Sequence, residues 1–349
     1  MKKGLLIMFI VFLPALLYAC ATQETPAEKT AESAAQEIQE TAKPVQETPP
    51  AEEIKSEPVI EEPIIAEPEP ASAPAAEPLS FFWEKDSGQR ITDGSVPFIH
   101  NLGNGKARLY YCNNKGVLSA ISNDGMTFTK EPGARISPGT GFETIVCDPT
   151  IVNLLDGKIR MYYKGANSQK PGPGQSIHKI YSAISSDGLA FQKEGLRIDS
   201  ETNGDNGWAS VPDAIVLPDG RVRIYYVTAS GMEHGIGSAI SSDGLDFAKE
   251  PGIRIPNLVD PALVIIGDKY VLFAASIDER FGGVPKGIYY TESSDGLDFG
   301  EPIAVFQEDN VYDPSVLKID ENTIRVFYGK VVPPQLPAVE SHTGHIAIT

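Results

Sequence analysis

Cysteine is scarce, with three residues in a chain of 349. No CxxC pair and no Cys/His spacing of the zinc type occurs, which excludes a structural zinc module. Basic runs are also lacking. The chain has 29 Lys and Arg against 47 Asp and Glu, a formal net charge of −18, so it offers no cationic footprint for a polyanion, and nucleic acid is excluded as a partner. The longest leading apolar run, Leu5 to Leu17, falls short of the ~20 residues that a spanning helix needs. No EF-type spacing is present either. Calcium is the one ion that this many carboxylates would accept, and otherwise no cofactor is expected.

The short apolar run has a different use. It follows Met1-Lys2-Lys3 and ends in Leu17-Tyr18-Ala19-Cys20, which resembles a bacterial lipoprotein box. On this reading residues 1–19 are a signal peptide and Cys20 becomes the lipidated N-terminus, a membrane attachment through a lipid anchor. Ala21 in place of Asp resembles the outer-membrane sorting pattern of Gram-negative lipoproteins. The expected location is therefore the cell envelope, at the outer membrane. Residues 21–78 are rich in Pro, Ala, Glu and Thr, poor in aromatics, and carry a net charge of about −11. Such a segment cannot bury enough apolar surface to fold, so residues 20–78 read as a lipidated cysteine and an extended, self-repelling stalk.

The remainder, 79–349, repeats one pattern five times with a period of roughly 50 residues. Apolar first strands are expected to begin at Val96-Pro97, Asp148-Pro149, Val211-Pro212, Asp260-Pro261 and Asp313-Pro314. Turns such as Asp156-Gly157 and Asp219-Gly220 follow. Second strands then read Arg108-Leu109-Tyr110-Tyr111, Arg160-Met161-Tyr162-Tyr163, Arg223-Ile224-Tyr225-Tyr226, Val271-Leu272-Phe273 and Arg325-Val326-Phe327-Tyr328. Third strands end in Ser122-Asn123-Asp124-Gly125, Ser185-Ser186-Asp187-Gly188, Ser241-Ser242-Asp243-Gly244 and Ser293-Ser294-Asp295-Gly296. Four strands per repeat and five repeats predict an all-β, five-bladed β-propeller of antiparallel blades. The fifth copy stops one strand short. Leu79-Ser80-Phe81-Phe82-Trp83-Glu84-Lys85 resembles the fourth-strand text Phe128-Thr129-Lys130-Glu131, which predicts that the N-terminal strand closes the ring.

Topology sorts the repeated residues by face. Ser-x-Asp-Gly recurs four times on one face and reads as scaffold, because its side chains bond their own turn. Arg108, Arg160, Arg223 and Arg325 recur at one strand position and read as structural pairs. Cys112 and Cys147 come to the same face in neighbouring blades, as a disulfide stapling blades one and two or as two isolated thiols.

Function is expected where the first strands converge, because there the copies differ. Asp148, Asp260 and Asp313 stand just before their prolines and Asp213 just after Pro212, while the first blade offers only Asp93, Ser95 and His100. Several carboxylates around one axis repel, which raises some pKa values and makes an acid/base or metal-binding site; the alternative is that each Asp caps its strand or pairs with a neighbouring blade. Five residues before Ala120, Ala183, Ala239, Thr291 and Ala347 stand Lys115, His178, His234, Lys286 and His342. They form either inter-blade partners for the aspartates or a cationic collar for an anionic ligand group. Trp208 is a candidate sugar-stacking platform or a core residue.

Five blades, Asp-Pro inner strands, Tyr-Tyr second strands and Ser-x-Asp-Gly-x-x-Phe turns together resemble the five-bladed glycosidase superfamily of glycoside hydrolase families 43, 32, 62 and 68, with family 130 more distant. The resemblance covers residues 79–349. It implies a base Asp before the first inner strand, a pKa-tuning Asp in the second blade and an acid Glu before the third. Cys147-Asp148-Pro149 matches the second position. Gly94-Ser95-Val96-Pro97 and Ala209-Ser210-Val211-Pro212 lack the other two, which leaves Asp213, Asp260 and Asp313 as relocated acid or base, with Glu143 as a spare. A family 130 type phosphorylase would use one acid and the collar. Two readings stand side by side: an envelope glycoside hydrolase acting on oligo- or polysaccharide, or a non-catalytic propeller binding glycan or another ligand in the same pocket. A structural envelope scaffold is the third.

Overall fold

The computed structural model describes residues 78–167, 176–230, 233–277, 284–331 and 333–347. The expected signal peptide, Cys20 and nearly all of the stalk lie outside these residues.

Strand β1 (Phe81–Lys85) precedes five hairpin-connected groups. Blade one is β2 (Ser95–Gly103), β3 (Lys106–Asn113), β4 (Gly116–Ser122) and β5 (Thr129–Lys130). Blade two is β6 (Ile145–Asn153), β7 (Ile159–Ala166), β8 (His178–Ser185) and β9 (Gln192–Ile198). Blade three is β10 (Ser210–Val216), β11 (Val222–Ser230), β12 (Glu233–Ser241) and β13 (Ala248–Lys249), with a two-residue addition, β14 (Ile255–Pro256), on β12. Blade four is β15 (Val259–Ile266), β16 (Lys269–Ser276), β17 (Gly287–Ser293) and β18 (Ile303–Gln307). Blade five holds β19 (Val311–Lys318), β20 (Thr323–Lys330) and β21 (Ala338–Ile346). Its outer strand is β1, paired antiparallel to β21 from Phe81 opposite Ile346 to Lys85 opposite His342. The chain is thus an all-β, five-bladed propeller closed by its N-terminal strand. Apart from a single 3-10 turn at Gly141–Glu143, no helix occurs among the described residues.

The repeat text explains how the blades lock. Second-strand rings Tyr110, Tyr162, Tyr225 and Phe327 are fully buried. Each meets edge-on the phenylalanine that follows the next blade's turn, as in Tyr110 with Phe191 at 6.1 Å, Tyr162 with Phe247 at 5.6 Å and Phe327 with Phe128 at 6.0 Å. At the closure Trp83 takes that part over Phe273, at 6.0 Å. Such edge-to-face pairs are worth about 0.5–1.5 kcal/mol beyond the area they bury.

The strand arginines are structural, as their repetition implied. Arg108 pairs with Glu131 (2.9 Å), Arg160 with Glu194 (2.8 Å), Arg223 with Glu250 (2.9 Å) and Arg325 with Asp86 (3.1 Å). Each guanidinium also donates to a carbonyl in the next blade's Ser-x-Asp-Gly turn. The tyrosine two residues on donates to the glycine carbonyl of the same turn, at 3.0 Å for Tyr110 and 2.7 Å for Tyr162. A disulfide joins Cys112 at the end of β3 to Cys147 in β6, with Cα atoms 5.6 Å apart.

Candidate active site at the propeller axis

The inner strands do not begin at the Xaa-Pro pairs; they begin one to three residues earlier and carry the pair as a bulge. Ser95 faces Cys112 but Phe98 faces Tyr110, so one extra residue sits on β2, and the same slip occurs in β6, β10, β15 and β19. The residue before each proline adopts a left-handed backbone: Val96, Asp148, Val211, Asp260 and Asp313 have φ of 57°, 54°, 46°, 59° and 51°. Asp tolerates that conformation, whereas a β-branched residue there is an outlier. Bulges of this kind re-aim side chains. Val96, Asp148, Val211 and Asp313 line a cavity of about 20 Å³ on the axis, with Asp213 and the five prolines completing its wall. That volume holds about one water, so a larger ligand would occupy the mouth above it.

Asp148 is almost fully buried. Its Oδ2 lies 2.6 Å from Lys164 Nζ, an ion pair without the angle of a well-aligned hydrogen bond. Burial opposes the charged ammonium, but Asp148, with Asp313 and Asp260 behind it, outweighs that opposition and raises the Lys164 pKa. Asp260 and Asp313 come from adjacent blades, and the Asp313 N–H donates to Asp260 Oδ2 at 3.2 Å. Burial and mutual repulsion push both carboxyls up, with Asp148 adding to the effect and Lys164 only partly offsetting it. The ring therefore presents an ion-paired carboxylate on blade two and, on blades four and five, two carboxyls whose pKa values are raised.

Asp213 stands at a different level. It occupies the position after proline, like Thr150 and Ser315, and these three tie blades together. Thr150 donates to Asp213 Oδ1 at 3.2 Å and accepts the Ala214 N–H at 3.1 Å, Asp213 Oδ2 accepts the Leu263 N–H at 2.6 Å, and Ser315 Oγ accepts the Ile99 N–H at 2.9 Å. Burial pushes the Asp213 carboxyl up to about 7, against the pull of those two donors.

The five bases do not form one ring. His342 faces Val326 in the middle of β21, the register held in other blades by Ala120, Ala183, Ala239 and Thr291, so the fifth copy had to be aligned five residues earlier. There it stacks on Phe306 at 4.1 Å. Lys115 is exposed at the β3–β4 turn. Lys286 lies 3.6 Å from Asp309, and His234 lies in β12, where its carbonyl accepts the Asn257 N–H. His178 feels both Lys164 and Asp148, and burial takes its pKa down to about 4. Its Nδ1 contacts Ser210 Oγ at 3.1 Å, and Trp208 lies against its ring at 4.3 Å rather than standing free. Glu143 is engaged by Tyr163 (2.8 Å) and Lys193 (2.7 Å).

Lys164 and Ser210 escaped the sequence reading. A signal for Lys164 existed: the residue after the second-strand aromatic pair is Cys112, Val227, Ala275 or Gly329 in the other blades, and charged in blade two alone. Among the described residues no group of three or more His, Cys, Asp or Glu side chains has metal-holding geometry, so no step is assigned to calcium.

No family model matches the sequence, and no curated protein matches it. Solved structures do. The chain is similar to a glycoside hydrolase with a TM-score of 0.60 and 14% identity, over 74% of this chain and 89% of that one. The fold they share is the five-bladed β-propeller. A thermostable family-43 glycoside hydrolase superposes with a TM-score of 0.58 at 15% identity, over 74% and 91% of the two chains. A family 117 glycoside hydrolase of the marine bacterium Zobellia galactanivorans gives 0.58 at 16%, over 76% and 90%. At these identities the likeness is one of fold, and the chemistry has to be argued from the axis itself.

Proposed function

We propose that the protein is an envelope-anchored, carbohydrate-active propeller that cleaves glycosidic bonds of an oligo- or polysaccharide at its axis. The supporting observation is the bulge that brings Asp148 into one funnel with the Asp260–Asp313 pair on non-adjacent blades. Carboxyl groups on opposite sides of an axis can act on a glycosidic bond held at the mouth above, one protonating the leaving oxygen while the other orients water. In this reading the Asp260–Asp313 pair holds the proton for the leaving oxygen, and Asp148, fixed by Lys164, is the ionised carboxylate that orients water or substrate. The lipid anchor at Cys20 and the outer-membrane location are part of the same proposal and rest on the leader sequence alone.

A second reading has its own support. Val96 and Val211 occupy the pre-proline positions of blades one and three, near where family 43 keeps a base and an acid, and the axial cavity is small. A propeller that binds glycan without turnover would look the same.

Product release from polysaccharides and aryl glycosides by the intact chain, with and without phosphate and calcium, separates the two. Turnover lost in Asp148→Asn and in Asp260→Asn supports hydrolysis. Glycan retention with no product from any substrate would replace it with the binding reading, and neither retention nor product would remove carbohydrate altogether.

A further inference from the structure

Val96 and Val211 are anomalous on the axis. Both have φ well inside the left-handed region, at 57° and 46°, where a β-branched side chain is disfavoured by sterics, and both precede a proline, which restricts them further. Blades two, four and five show that the bulge accepts Asp, which adopts this conformation with less strain. Core filling does not account for the choice. Val96 packs only at the edge of the cluster between blades one and two, and both valines remain partly exposed while lining the axial cavity.

Their placement is not random. Around the ring the order is Val96, Asp148, Val211, Asp260, Asp313, so the two valines bracket the carboxylate that Lys164 holds. In the cavity lining the two valines flank Asp148, and the other acidic side chains are Asp213 and Asp313. Backbone strain kept at a functional cleft is an observation from which a role can be inferred.

We propose that Val96 and Val211 are specificity-determining residues: an apolar wall on either side of Asp148 that takes the C–H face of a neutral sugar ring. The inference rests on the carbohydrate reading. The neutral class follows from the charges at the mouth. Asp148 already holds Lys164, so an anionic sugar would bring a second negative charge beside Asp148, and among the described residues no Lys, Arg or His lines the cavity to meet it.

The test uses the intact chain and Val96→Asn, Val211→Asn and the double variant, with Val211→Ile as the conservative control. Melting temperature and retention on insoluble xylan, arabinan and galactan are measured side by side. Asn tolerates the left-handed backbone, so each substitution should raise Tm by about 2 °C. Retention should fall about tenfold, and Val211→Ile should keep it. A fall in Tm would mean that the valines are core filler and would overturn the proposal. A rise in Tm with retention unchanged would overturn it as well, leaving strain without a ligand contact. Wild-type protein retained by none of the three would sink the carbohydrate reading and the ligand assigned to the wall, while the Tm arm still reports separately on the strain.

Discussion

On the hairpin face, Asp124, Asp187, Asp243 and Asp295 each accept two backbone N–H groups of their own turn at 2.7–3.0 Å. Those donors hold the Asp187 and Asp243 carboxyls down to about 2. On the funnel face, Asp213 and Asp260 are buried and Asp313 is partly buried; all three carboxyls are pushed the other way, and Asp148 depends on one lysine. The same residue type is cheap to ionise in one place and costly in the other. The difference is the number of donors that the backbone supplies. A tight turn aims its own N–H groups at the carboxylate, whereas a left-handed bulge before proline turns the side chain toward an axis where other carboxylates converge. A repeat that satisfies itself serves as scaffold, and a repeat position that leaves charge to be satisfied by something else marks a site.

The largest break in this comparison is expected at the closure. Removing residues 79–85 deletes β1, with Phe81 and Trp83, and exposes the edge of β21. The cooperative thermal transition should be lost, and a single transition at the wild-type temperature would show that the ring does not depend on its N-terminal strand.

Next comes Lys164, the partly buried cation that pairs with Asp148. Lys164→Met leaves Asp148 buried without its partner, which should cost about 3–5 kcal/mol in urea unfolding. Adding Asp148→Asn should recover much of that loss. No recovery would mean that Lys164 acts through something other than Asp148.

The two faces were not equally legible in the sequence. Ser-x-Asp-Gly, the strand arginines and the Tyr-Tyr pairs could be read because each is bonded locally or to the same position of the next blade, so three or four copies state one rule. Closure by Phe81–Lys85 could be read for the same reason. The funnel was legible only as a list of candidates. Asp148, Asp260 and Asp313 were visible through their prolines and Asp213 as the one that follows its proline, but only the bulge showed that this position places it among the blade-to-blade bonds of Thr150 and Ser315. Lys164 lay one residue past the second-strand text Arg160-Met161-Tyr162-Tyr163. His342 was misplaced because the last repeat lacks the Ser-x-Asp-Gly turn that anchors the alignment elsewhere.

A smaller effect sharpens the electrostatic side. The folded-state pKa of Asp213, about 7, lies above its unfolded value near 4. Its contribution to stability is therefore full below pH 4 and is lost as pH rises to 7, with a slope of up to about 1.4 kcal/mol per pH unit. His178 and His342, both lowered to about 4, act with the opposite sign: their contribution is present above pH 6.5 and lost as pH falls toward 4. The wild-type profile should be blunted by this opposition. Asp260 and Asp313, raised as well, add to the fall, so Asp213→Asn should remove one falling component and make the slope between pH 4 and 7 more positive than in wild type, by up to about 1.4 kcal/mol per pH unit. An unchanged profile would place the Asp213 pKa near its ordinary value.

The smallest effect is on the hairpin face. Tyr162→Phe removes the bond to the Gly244 carbonyl and should cost about 1 kcal/mol with glycan retention intact. Altered retention would mean that the scaffold face is not separable from the site.

The most direct test of the account sets the two faces against each other. The intact chain, Asp148→Asn and Asp187→Asn are compared for glycan retention and for product release on the same substrates. The account predicts at least a tenfold loss for Asp148→Asn and wild-type behaviour for Asp187→Asn. Loss in Asp187→Asn with Asp148→Asn unaffected would contradict it and move the site to the opposite end of the propeller.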